Sequence, residues 1–471
     1  MVLLYNWPFF SAYTMCRIQS GGPFMDKDHA VNPSSSASNP LFLGFMLLSF
    51  FFGAGNLIFP PMLGMNAGLN FTPAVIGFIV TAIALPMLSL IAIAKSSGGL
   101  LGLGRRVHPV FAYVFAILIY LSIGAMYGIP RAANVGYEMG FRHFINLPEG
   151  ISLITYVVVF FSVCYLCALK SGRLVDIIGK VLTPVLLGVI ALLCGLAFMH
   201  LTPSVHAPSE QFNSNPLSSG IIEGYFTLDA LAGLAFGTVL ANAIMGSTKA
   251  AGQAPLAPQQ LVKVMIQSSL VAGLFLGLIY FGLAWIGRGM YRPEGYENGA
   301  VLLSSTATQL MGNAGNVAFG MIVILACLTT CIGLINACSS FANQVYPKIG
   351  YGVYVLIFTV LGALFSNLGL DSILAIAVPI MVFLYPISIA LVLLSLIHPM
   401  IAKHPLTYVF GVGTATLFAF NDMLSNLVSS PLPWHSLIEK LPMAELGLGW
   451  IVPTILMALL GFVIKRSDQA I

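Results

Sequence analysis

Two polar residues stand where an apolar chain ordinarily tolerates none. Asn56 closes the tetrad Gly53-Ala54-Gly55-Asn56 within SFFFGAGNLIFPPMLG, and Asp229 lies in GYFTLDALAGLAFG, each inside a long apolar run. An amide or carboxylate placed in hydrocarbon is costly enough to be a functional residue by default. The chemistry these two offer is binding rather than bond making. A hydrolase would need a nucleophile and base or a metal set, and neither HExxH nor GxSxG occurs. The eight histidines fall mostly near loops and span ends or in the N-terminal tail, and GSTKAAG around Lys249 lacks the GK[ST] spacing of a phosphate loop.

The residues beside Asn56 weaken a helix. Within a bilayer every backbone N–H and C=O must be paired, so non-helical backbone survives only where it is buried in protein or lines a polar cavity. Two glycines alone are equally suited to close helix packing. With Asn56 beside them, they point to an unwound polar site. The stretch after Asp229, with Gly233 and Gly237, is the second such interruption, and Asp176, Asp371 and Asp422 lie nearer span ends.

The elements that must hold these residues follow from composition. Charged residues make up 7% and hydrophobic residues 58% of the chain, against roughly 25% charged in a soluble domain. This is an all-α polytopic membrane protein, and its net charge of +4 carries no implication of nucleic acid. Twelve stretches are long and apolar enough to span, at 41–67, 73–96, 109–134, 151–169, 175–200, 218–245, 261–287, 315–343, 350–367, 371–399, 405–424 and 447–465. Residues 1–40 form a polar Ser/Pro-rich tail without the basic leader of a signal peptide, and Met25 offers a second start. In the loop at 291–315, GAVLLSSTATQLMG is apolar enough for a short dipping helix. The cysteines, Cys164 and Cys167 included, sit almost entirely in apolar segments and read as packing.

Lysine and arginine gather in alternate loops, which puts both termini in the cytoplasm. Arg131, Arg142, Arg288, Arg292 and Lys440 fall on the opposite side. The interrupted first and sixth spans each open a set of five, and the fifth and tenth both carry internal proline (Pro184; Pro379 and Pro386). Five is odd, so residues 41–200 and 218–399 insert with opposite topology, with two further helices over 405–465. Such inverted repeats hold substrate at the midplane between discontinuous helices.

That plan assigns roles. The second half-helices begin at the breaks with free N–H groups and a positive dipole end, and the first halves end there with free carbonyls. A zwitterionic amino acid fits, its carboxylate on N–H groups around Ala54, Gly55 and Asn56 and its ammonium on carbonyls near Phe52 and Leu228 with help from Asp229. Phe236 and the helically spaced Tyr120, Ile123 and Tyr127 would form an apolar wall, though such a stripe also serves plain packing. Pro60 and Pro61 would shape the outer half-helix near its start.

FFFGAGNLIFPPMLG, GYFTLDALAGLAFG and SIGAMYGIPRAANVGYEMG together resemble the bacterial branched-chain amino acid carriers of the BrnQ or LIVCS family, from about Leu41 to the C-terminus. The resemblance implies sodium-driven uptake of leucine, isoleucine and valine across the bacterial cytoplasmic membrane, with no organic cofactor. Ala125 departs from the family, which has proline there. A more distant similarity to the sodium-coupled leucine-transporter fold implies a sodium site. Its ligands would be the backbone carbonyls of Ser49 and Phe52 with Ala326, Thr329 and Thr330 from ACLTT. The competing role for Thr329 and Thr330 is bonding back to their own helix, and proton coupling through Asp229 is the alternative to sodium.

Overall fold

The structure is a computed structural model that describes residues 40–96, 98–143, 148–169, 173–250, 257–428, 438 and 440–464. Residues 1–39 of the proposed tail, Cys16 among them, and Lys170 fall outside them, whereas Pro40 opens the first helix. Among the described residues the fold is all-helical, with no strand.

The chain runs through α1 (Pro40–Phe51), α2 (Ala54–Ala67), α3 (Phe71–Ile79), α4 (Leu85–Ala94), α5 (Gly99–Arg105), α6 (Pro109–Leu121) and α7 (Gly128–Met139). It continues through α8 (Glu149–Leu169), α9 (Arg173–His200), α10 (Glu210–Asn213), α11 (Pro216–Tyr225) and α12 (Asp229–Ala250). The remainder is α13 (Pro258–Gly289), α14 (Gly299–Val345), α15 (Tyr351–Ser366), α16 (Leu370–Leu396), α17 (His398–Ile401), α18 (Pro405–Leu427) and α19 (Ile451–Val463). Six stretches among the described residues are long and apolar enough to cross a membrane: Ala54–Ala94, Pro109–Met139, Gly150–Leu169, Gln259–Gly289, Gly299–Val345 and Leu370–Leu396.

Both expected interruptions are present, but each is displaced from the residues that announced it. The first lies at Phe52 and Gly53, so Gly55 and Asn56 already belong to the first turn of α2. The second covers Phe226 to Leu228, ahead of Asp229, and Leu228 takes a φ of 71°. A leucine in that left-handed region is strained, and such strain gathers at functional sites. Gly233 and Gly237 do not unwind anything. They sit inside α12 and bring it against Pro86, Ser89 and Ile93 of α4.

Three further expectations are corrected. The third span does not stop at 134 but runs to Met139, because the polar Arg131 and Asn134 find partners inside the protein. It bends at a π turn over Ser122–Met126, where Gly124 leaves helical geometry, so the kink forms although Ala125 is not proline. The apolar stretch of the 291–315 loop is helical, as expected, but joins the eighth span in one long helix, α14, that turns at Gly312 (φ 70°). Pro60 and Pro61 occupy the second turn of α2 rather than its start, which leaves the carbonyls of Asn56 and Leu57 without their usual i+4 donor. Pro184, Pro379 and Pro386 are carried within continuous helices.

Packing around the two interruptions is reciprocal. α1 and α2 lie along α13, whereas α11 and α12 lie along α3 and α4. Glycines permit the approach: a Cβ on Gly287 would stand 1.8 Å from the Pro61 carbonyl oxygen, and one on Gly220 would stand 2.0 Å from that of Ala74. Small residues of this kind are how membrane helices gain van der Waals contact without a hydrophobic driving force.

Gly287→Leu is therefore expected to destabilise the protein by about 1–3 kcal/mol or to prevent folding, since overpacking a tight contact costs that much. Gly188, whose added Cβ would meet nothing within 4 Å, should accept alanine with an unchanged or slightly raised melting temperature. Thermal unfolding of detergent-purified protein compares them, and equal melting of both variants would contradict the contact.

Candidate functional site

The two breaks face each other. Asn56, in the first turn of α2, donates from Nδ2 to Oδ2 of Asp229 at 2.7 Å and to the Tyr280 hydroxyl of α13. Tyr280 Oη in turn donates to the same Asp229 oxygen at 3.0 Å. The other end of the Asn56 amide caps its own helix, its Oδ1 accepting from the Gly53 N–H at 3.1 Å. Asn56 thus ties the start of α2 to the start of α12. The tie is dry, with Asn56 1% and Asp229 3% exposed. In so dry a site a hydrogen bond is stronger, and an unmade one more costly, than in water.

Arg131 of α7, only 5% exposed, lines the same site as Asp229. Its Nη1 donates to Tyr127 Oη at 3.0 Å and to the Phe226 carbonyl, and its Nη2 donates to the Thr227 carbonyl at 3.3 Å. The guanidinium carbon is 4.6 Å from the Tyr127 ring centroid and 5.9 Å from that of Phe59. Gly55 is what admits it, since a Cβ there would lie 2.5 Å from Nη1. The carbonyls that end the first half of the sixth span are therefore occupied by a cation, as the negative end of a half-helix favours.

These groups surround a cavity of about 50 Å³ lined by Phe51, Gly53, Ala54, Asn56, Ile123, Gly128, Arg131, Ala132, Thr227, Leu228, Asp229, Ala232, Thr330 and Leu334. That is room for a few waters. The Phe59 ring, which faces the Arg131 guanidinium, meets the Phe226 ring at 5.6 Å. A larger cavity of about 310 Å³ is lined by Phe226 with Tyr225, Pro386, Asn421, Asp422 and Trp450.

Of the residues expected from sequence, Gly53, Ala54, Asn56, Ile123, Leu228, Asp229 and Thr330 meet at this cavity, with Gly55 and Tyr127 around Arg131. Tyr120 does not join them: its hydroxyl donates to the Ala235 carbonyl at 3.0 Å and its ring stacks on Phe341. Gly233 faces α4 instead. Thr329 and Thr330 both donate to the Ala326 carbonyl, at 2.8 and 3.0 Å. Thr330 also lies across from the first break, its Cγ2 3.7 Å from a Cβ built on Gly53. Each threonine oxygen retains lone pairs for a hard cation. The side chains of Ser49 and Phe236 lie outside the described residues.

Arg131 and Tyr280 escaped the sequence reading. Arg131 counted as an outer-loop charge because it follows a proline near the expected end of a span. The available signal was its spacing from Tyr127, one helical turn away on the same face. Tyr280, in IYFGLAWIG, carried none.

A family described as branched-chain amino acid transport protein matches residues 36–468. The chain belongs to that family. It is 36% identical to the branched-chain amino acid permease BrnQ of Bacillus subtilis, over 91% of this chain and 97% of the relative. Identity is 37% with BrnQ of Corynebacterium glutamicum, over 93% and 98%. With the branched-chain amino acid transport system 2 carrier protein of Pseudomonas aeruginosa it is 35%, over 90% and 96%. The fold is similar to that of Mhp1, a nucleobase-cation-symport-1 family transporter, at a TM-score of 0.58 and 12% identity, covering 90% of this chain and 91% of that one. A manganese transporter of Eremococcus coleocola gives 0.56 at 14% identity, covering 91% and 94%. The chain is a multi-pass membrane transporter and not an enzyme, and the resemblance in FFFGAGNLIFPPMLG was sound.

Tyr280→Phe removes one donor from a buried carboxylate and should cost about 1–3 kcal/mol in thermal unfolding. In the background of Asp229→Asn the same substitution should cost measurably less, because the two residues share one network. Additive effects would contradict the bond.

Proposed function

We propose that this transporter imports leucine, isoleucine and valine by sodium symport and alternating access. The observation that carries the reading is the junction of two helix breaks through Asn56, Asp229 and Tyr280 around one buried cavity. The names of the relatives supply the substrate class.

In this reading the chain crosses the bacterial cytoplasmic membrane twelve times with both termini inside, as two inverted sets of five helices followed by two more. The reciprocal packing of α1 and α2 on α13, and of α11 and α12 on α3 and α4, favours that symmetry. The amino acid carboxylate meets the N–H groups that open α2, and Asp229 takes the ammonium. Ile123, Leu228 and Leu334 receive the branched side chain, and a cavity of about 50 Å³ must widen as substrate enters. Sodium takes the carbonyls of Ser49, Phe52 and Ala326 and the hydroxyls of Thr329 and Thr330, five hard oxygens of the kind the ion prefers. The Phe59 and Phe226 rings close the outer side, and rocking of one helix set against the other opens the inner. One coupled sodium at a potential of 100 mV contributes about 2.3 kcal/mol, roughly a fifty-fold accumulation.

A second reading is proton coupling through Asp229. It is favoured by the partners of that carboxylate, Asn56 and Tyr280, which are both neutral donors.

Proteoliposomes holding the purified protein separate the two. Leucine uptake should follow an imposed sodium gradient, and Thr330→Ala should raise the half-saturating sodium concentration about tenfold or more, the loss of a ligand to a charge being worth about 1.5–3 kcal/mol. Uptake that persists without sodium and follows an imposed pH gradient would reject the sodium site and favour Asp229. Isoleucine and valine should compete with leucine within about tenfold, since a methylene discriminates by only ~1–3 kcal/mol.

A further inference from the structure

The cavity between the breaks is lined by two buried opposite charges that do not touch. Arg131 makes no salt bridge among the described residues, and its Nε has no hydrogen-bond partner although fully buried. Among the described residues, the groups bonded to Asp229 are neutral: Asn56, Tyr280 and the Thr227 side chain. A buried ion without a counter-ion is costly, and both residues carry that cost in the lining of one space. A zwitterion placed between them pairs both at once.

We propose that Arg131 is the carboxylate anchor of the amino acid site. The inference rests on the reading that this cavity is where the amino acid binds. The position of the guanidinium supports it. Arg131 Nη1 and Nη2 lie within 2.7 Å of where a Gly55 Cβ would be, which is beside the N-terminus of α2. That end is positive, so a guanidinium gains nothing from it. A carboxylate between the two gains from both, accepting from the open N–H groups of the first turn and from the planar fork of the arginine. Gly55 is needed for this because any side chain there would displace the guanidinium. Tyr127 holds the arginine through its hydroxyl and the face of its ring.

Arg131 is held by the carbonyls of Phe226 and Thr227. Those carbonyls end the first half of the sixth span, so capture of the carboxylate by Arg131 loads that break directly. The substrate class this selects is an α-amino acid with both charges intact. An amine lacking the carboxylate leaves the arginine buried and unpaired.

The test compares leucine with leucinol, which keeps the ammonium and the isobutyl group and replaces the carboxylate by a hydroxymethyl. Binding of labelled leucine to the purified full chain is measured with each as competitor, in the wild type, Arg131→Gln and Arg131→Lys. The wild type should prefer leucine by at least ~10-fold, as expected for a hydrogen-bonded charge. Arg131→Gln should lose most of that preference by weakening leucine alone, with leucinol competing as before. Arg131→Lys, which keeps the charge without the fork, should fall between, and it serves as the working variant if the glutamine form does not fold. A preference in either variant equal to that of the wild type would overturn the role of Arg131. Failure of the wild type to bind leucine at all would instead overturn the underlying reading of the site.

Discussion

The structure depends on one hydrogen-bonded junction, where Asn56 at the start of one half-helix meets Asp229 at the start of another with Tyr280 closing the triangle. Each break exposes backbone that hydrocarbon does not satisfy. Setting the breaks against each other solves both problems together. Asn56 caps α2 with its carbonyl oxygen and reaches α12 with its amide nitrogen, and Arg131 takes the carbonyls that end the stretch before Leu228. The glycine contacts of α2 with α13 and of α11 with α3 hold the pieces at the distance this requires.

An arrangement of this kind suits a carrier better than a pore. Its polar groups line a space of only about 50 Å³, and the rings of Phe59 and Phe226 pair at 5.6 Å. The φ of 71° at Leu228 places strained backbone beside this space, and such strain gathers at functional sites.

The sequence made the fold class and the existence of both breaks legible because polar residues and glycines are conspicuous in an apolar run. It was less exact about their edges. Gly55 and Asn56 looked unwound, yet the N–H groups of a first helical turn have no i−4 acceptor within the helix, and the Asn56 side chain pairs the Gly53 N–H, so both residues fit inside α2. Gly233 and Gly237 carried the same signature for a different reason, which is close packing on α4. Tyr120 shared helical spacing with Ile123 and Tyr127, but the π turn over Ser122–Met126 rotates the helix between them and sends its ring toward Phe341. Arg131 was hidden by position, since a single charge near a span end reads as loop. No pattern in one sequence distinguishes Tyr280 from other aromatic residues of a membrane helix. Long-range pairs such as Asn56 with Asp229 are set by tertiary packing and leave no local trace.

The most direct measurement is an experimental structure of the protein with leucine and sodium bound. The account predicts leucine between the two breaks, its carboxylate within hydrogen-bonding distance of the first-turn N–H groups of α2 and its ammonium facing Asp229. Leucine seated instead in the larger cavity beside Asp422 and Trp450, with the space between the breaks still closed, would contradict it.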